Sequence, residues 1–145
     1  MRKIVVIAFV LLIIGLGCKK DSSQTGQASL SKTKWTLSYI QDTKTNETIN
    51  YPNDVSRKIS ITFSDSSNIL SFNGVCNNGQ GTYSLSSNTG SISVTDIFTT
   101  QIACKYDEWE IYTSNNLIAS DRYKLDGTTL IIFSKGSYNL YFNSL

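Results

Sequence analysis

From Trp35 onward the sequence alternates apolar and polar residues with period two, in short runs separated by turn-forming clusters. The run "WTLSYI" (35–40) directs Trp35, Leu37 and Tyr39 to one side, and "ISITF" (59–63) does the same with Ile59, Ile61 and Phe63. The series continues through "ILSF" (69–72), "GTYSL" (81–85) and "SISV" (91–94), with "SDSSN", an Asn-Gly loop and "SSNTG" between the runs. Toward the C-terminus "RYKL" and "TLIIF" flank Asp126-Gly127, a strong signal for a short hairpin, and "YNLYF" (138–142) follows "SKGS". Such alternation can bury only one face of each strand. Eight short strands at this spacing predict a sandwich or a closed barrel.

One segment departs from the pattern. Residues 105–119, "KYDEWEIYTSNNLIA", lack strict alternation and carry Trp109, Tyr112, Ile111 and Ile118 at near-helical spacing. Asp107, Glu108 and Glu110 crowd its start, where the helix dipole favours negative charge. A single helix is expected there. Its carboxylates suit helix capping better than metal or acid–base work. The stretch "NETINYPND" (46–54), with the chain's one proline, reads as a loop.

The N-terminus carries a different message. Arg2 and Lys3 precede an apolar run from Ile4 to Leu16, and small residues then lead to Cys18. This is the layout of a secretory signal peptide. At about 1.5 Å per residue the run spans roughly 20 Å, well short of a bilayer core of about 30 Å. The end of the run resembles a bacterial lipoprotein lipobox, in which cleavage just before the cysteine leaves it as an acylated N-terminus. Gly17 and Cys18 fit that pattern, while Gly15 stands where a leucine is usual. Residues 1–17 are thus expected to be leader, and residues 18–32 a lipidated cysteine with a polar, flexible tether. The run "CKKDSS" also resembles charged leaders of Bacteroidetes-type lipoproteins, some of which are surface-displayed. The expected location is the cell envelope, lipid-anchored at the outer membrane, on its periplasmic side or at the surface. Two or more acyl chains would hold the protein there without a spanning helix.

Loss of Arg2 and Lys3 with the leader leaves basic and acidic side chains in balance. A nucleic-acid binder needs a basic face, so no nucleic-acid partner is expected. Cys76 and Cys104 remain once Cys18 is assigned to lipid. In an oxidising compartment an even pair favours a disulfide, with free thiols or a metal site as the alternatives.

The order of these pieces resembles the META domain, or HslJ-like, family of bacterial envelope proteins. The residues that carry the resemblance are Trp35 and Leu37; Cys76 and Asn77 followed by Gly81 and Tyr83; Thr100, Ala103 and Cys104; and Glu108 or Glu110 at the helix start. Val75 stands where a glycine usually precedes the cysteine, with Gly74 displaced by one. The resemblance implies that residues 33–145 form a small, partly closed antiparallel β-barrel. It would be lipocalin-like in shape, mainly β, with a single α-helix before the last strands. It supports a Cys76–Cys104 bridge, and it links some members with stress tolerance. It supplies no catalytic residues.

With no histidine in the chain, Ser-His-Asp and Cys-His catalysis and histidine metal sites are excluded. No carboxylate pair stands out, and no cofactor or metal is expected. A non-catalytic envelope module that meets another envelope protein is the favoured reading. The alternative is binding of a small apolar ligand in the barrel mouth, lined by some of the eight tyrosines and two tryptophans.

Overall fold

The strand runs seen in the sequence close on themselves. In a computed structural model, which describes residues 29–86 and 88–145, the elements are β1 (Lys34–Asp42), β2 (Thr48–Asn50), β3 (Ser60–Phe63), β4 (Ile69–Asn73), β5 (Asn78–Ser86) and β6 (Ser91–Thr99). After these come α1 (Asp107–Ile118), β7 (Ser120–Asp126), β8 (Thr129–Ser134) and β9 (Tyr138–Ser144). The expected leader, the lipidated Cys18 and the tether up to residue 28 lie outside the described residues.

All pairings between these strands are antiparallel. β9 returns to pair with β1, so β1 and β3 to β9 form a closed eight-stranded barrel. Short β2 lies on the same edge of β1 as β3, further along the strand. The narrowest seam is between β6 and β7, where Ser91 faces Arg122 and the Tyr123 N–H donates to the Gly90 carbonyl at 2.8 Å.

An eight-stranded barrel has an interior just wide enough for side chains to fill. Trp35, Leu37 and Ile40 of β1 fill it together with Ile61, Phe63, Leu70, Phe72, Leu130, Ile132, Leu140 and Phe142. Most of the large ones are entirely sealed from water. α1 packs across one end through Trp109 and Leu117, and Trp109 meets Tyr51 edge-on at 5.0 Å. The aromatics that could have lined a ligand cavity therefore largely serve the core or the outer wall.

Three expectations change in the structure. The first concerns β1, where the register slips between Leu37 and Tyr39. The bulge turns Ile40 inward and Tyr39 outward, to stack on Tyr141 at 4.2 Å. The second concerns "NETINYPND", which contains β2; its three residues are all exposed, so no apolar alternation marks it. The third concerns α1, which buries Trp109, Glu110, Thr113, Asn116 and Leu117 and leaves Ile111 and Ile118 exposed. Its inward face is largely polar, and of the four apolar residues that set the spacing in the sequence only Trp109 is buried.

At the other end, Leu30 is buried in the core and its carbonyl accepts a hydrogen bond from Trp35 Nε1 at 2.9 Å. Ser31 bridges in parallel to Phe63. The chain is thus docked on the barrel three residues before residue 33.

Candidate functional site

Asn77 sits in the loop leading into β5, and Glu110 sits in the first turn of α1. Both are only 6% exposed, and they face each other. Glu110 Oε1 accepts hydrogen bonds from the backbone N–H groups of Cys76 at 2.7 Å and Asn77 at 3.0 Å. Its Oε2 accepts from Asn77 Nδ2 at 2.7 Å. A buried carboxylate requires such donors to offset its lost hydration. Here three are supplied by one turn.

The same amide reaches the other way. Asn77 Nδ2 donates to the Ile102 carbonyl at 2.9 Å, while Oδ1 accepts from the Ile102 N–H and from Thr100 Oγ1, both at 2.8 Å. Because the Ile102 backbone presents one fixed donor and one fixed acceptor, the orientation of the Asn77 amide is determined. Three separate segments, the 74–78 turn, the 100–104 connector and α1, are locked by one amide and one carboxylate. The Cys76–Cys104 disulfide, with Cα atoms 6.5 Å apart, ties the first two segments beside this lock.

Gly74 completes it. Its N–H donates to the Asn77 carbonyl at 2.7 Å, and a Cβ on Gly74 would collide with the Glu110 carboxyl group. The glycine displaced from the usual motif position is therefore required for close approach. It is the carboxylate, not a left-handed backbone, that needs the space.

The sequence motif residues do not all converge here. Cys76, Asn77, Thr100, Ala103 and Cys104 come together with Glu110, whereas Glu108 is exposed. Trp35 belongs to the core and pins Leu30. Gly81 lies opposite a bulge in β6, where an added Cβ would stand 2.8 Å from Ile97 Cγ1. Tyr83 donates its hydroxyl to the Ser64 carbonyl at 2.7 Å and packs edge-on against Phe63. Helix capping does not describe Glu110: the N-cap, Tyr106, has a left-handed backbone and no side-chain capping bond. Ile102 had no sequence signal, because it takes part through its backbone.

Above the lock lies an apolar ledge. Phe98 is 76% exposed, Ile102 59% and Ile111 55%. Between Ile102 and Ile111 a hollow of about 400 Å³ is lined by Thr99, Thr100, Ala103 and Glu110 among others. On the far side of the disulfide, Asp54 accepts from Lys105 Nζ at 3.3 Å and from the Tyr106 hydroxyl. Those two donors, Tyr106 first, hold the Asp54 carboxyl below the usual carboxylate range. Among the described residues no group of three or more His, Cys, Asp or Glu side chains is placed to hold a metal ion.

Comparison with known proteins places these features in a family frame. The META domain profile matches residues 28–144. No curated protein matches the sequence significantly. Several solved structures share the fold, among them the following three. An NMR structure of a protein from Burkholderia xenovorans is 22% identical, with a TM-score of 0.67 over 80% of this chain and 83% of that one. A crystal structure of a duf4847 family protein from Bacteroides vulgatus is 12% identical, with a TM-score of 0.60 over 79% and 93%. A further NMR structure is 17% identical, with a TM-score of 0.55 over 77% and 88%. At these identities the likeness speaks for the fold alone.

Proposed function

We propose, on the premise that this chain belongs to the META domain family, that it is a non-catalytic interaction module anchored in the cell envelope through a lipidated Cys18. The observation that carries this reading is the ledge of Phe98, Ile102 and Ile111, three large apolar side chains left more than half exposed on a rigid base. Ile102 and Ile111 flank one hollow, Phe98 borders a second that shares Thr99 and Thr100 with it, and exposed apolar side chains so placed favour a protein partner over solvent. Such a surface would bury apolar side chains of another envelope protein, with the Asn77–Glu110 lock keeping it in shape.

Two further features support a binding role rather than catalysis. Glu110 is the one buried carboxylate among the described residues, and both its oxygens are engaged in holding the fold. The chain also has no histidine to act as a base. The alternative, an apolar ligand inside the barrel, is disfavoured by the filled interior.

The test is native mass spectrometry on the full chain gently extracted from its own envelope. A protein adduct that is lost in Ile102→Asp is expected. A small molecule retained in both forms would support the ligand alternative, and an empty monomer would contradict the interaction reading. The anchor is tested separately. Cys18→Ser should shift the chain out of the membrane fraction and change its mature mass, and unchanged fractionation and mass would contradict lipidation.

A further inference from the structure

On the outer wall of the barrel, away from the ledge, three strands present a polar row: Thr36 of β1 faces Ser60 of β3, and Ser60 faces Asn73 of β4. Outward residues on a small barrel are ordinarily wet. Here Ser60 is 1% exposed and Thr36 9%, and neither hydroxyl has a hydrogen-bond partner among the described residues. Nearly all buried polar groups in folded proteins are paired, so two adjacent orphans call for an explanation. They line a hollow of about 330 Å³ whose other residues include Lys34, Arg57 and Lys58. The lining residues carry no side-chain carboxylate. None of the ion pairs among the described residues involves any of these three cations.

We propose that this hollow is a binding site for a phosphate group. The donors have the required character. Arg57 is half-buried and is steadied by a hydrogen bond from Nη2 to Asn78 Oδ1, and its other N–H groups have no partner among the described residues. Planar guanidinium forks and ammonium groups bind phosphate oxygens through charge-assisted hydrogen bonds. The Thr36 and Ser60 hydroxyls and the Asn73 amide can donate to the same oxygens. A water molecule could satisfy one hydroxyl, but it would leave Lys34, Arg57 and Lys58 around one hollow with no ion pair among the described residues.

The phosphate can come from a lipid headgroup or from solution. Lys34 is the first residue of β1, so the hollow lies beside the point where a chain tethered at Cys18 would enter the barrel. That placement favours a headgroup, and it rests on the anchored reading; the site itself does not.

The experiment follows backbone amide shifts of the full chain during titration with inorganic phosphate, dihexanoyl phosphatidic acid and dihexanoyl phosphatidylcholine. Saturable shifts centred on Thr36, Arg57, Lys58 and Ser60 are expected. Arg57→Gln should weaken binding by about tenfold or more, Lys58→Gln should weaken it less, and Lys124→Gln on β7 should leave it unchanged. Equal binding of phosphate and phosphatidic acid supports a free-anion site. Phosphatidic acid that binds about tenfold more tightly, with phosphatidylcholine inert, supports a headgroup site. Shifts that never saturate, or equal losses in Arg57→Gln and Lys124→Gln, would overturn the proposal by reducing it to diffuse charge screening.

Discussion

Changing one atom of Glu110 tests the lock at its smallest scale. In Glu110→Gln the amide nitrogen would face Asn77 Nδ2, donor against donor, or the two backbone N–H groups of Cys76 and Asn77. Asn77 cannot flip to accommodate it, because Ile102 fixes both ends of its amide. A loss of about 1–3 kcal/mol is expected from urea unfolding. Asn77→Asp should cost at least as much, since it sets two carboxylates against each other. No change in either variant would mean that the lock does not hold the fold. Tyrosine titration offers a second test at this scale. Burial pushes the phenols of Tyr51, Tyr39 and Tyr83 above the usual value near 10. The fold therefore favours the neutral phenols. Their contribution is fully present below about pH 10 and is lost as the pH rises through the raised values. Tyr51→Phe should weaken the fall in melting temperature between pH 9 and pH 11, and an unaltered slope would refute a role for Tyr51. Little of this was legible beforehand. The family resemblance pointed to Asn77, Thr100 and an acidic residue at the helix start, but a partnership across 33 positions leaves no periodic trace.

Secondary elements were more legible than the bonds between them, and the exceptions have physical causes. Strands with one wet face alternate, so β3, β4 and the β7–β8 hairpin follow the sequence closely. β2 has no buried face, and one extra residue in β1 exchanged the places of Tyr39 and Ile40. α1 misled for the opposite reason. Its inward face carries Glu110, Thr113 and Asn116, whose side chains bond to backbone and loops, as when Asn116 Oδ1 accepts from the Tyr138 N–H at 2.9 Å. A helix so anchored depends on its connectors, and the disulfide closes one of them. Reduction should lower stability by about 3–4 kcal/mol on the loop-entropy account. It should also raise amide exchange in residues 74–78 and 100–106 well before β8 and β9. Equal exchange gains throughout the barrel, or no stability change, would contradict this division.

For the whole molecule, the packed interior and the exposed apolar ledge point in one direction. The barrel has the outline of a ligand carrier, yet an aromatic and aliphatic core occupies the space a ligand would need. What is left for recognition is the outside, where Phe98, Ile102 and Ile111 stand more than half exposed around two hollows that share Thr99 and Thr100. The most direct measurement places a photo-crosslinking residue at position 98 of the full chain in its native envelope, with Tyr141 on the opposite wall as the control position. One discrete protein adduct from position 98, lost on Ile102→Asp and not formed from position 141, is the predicted result. The same adducts from both positions, or none from either, would contradict the view that this face exists to meet a partner.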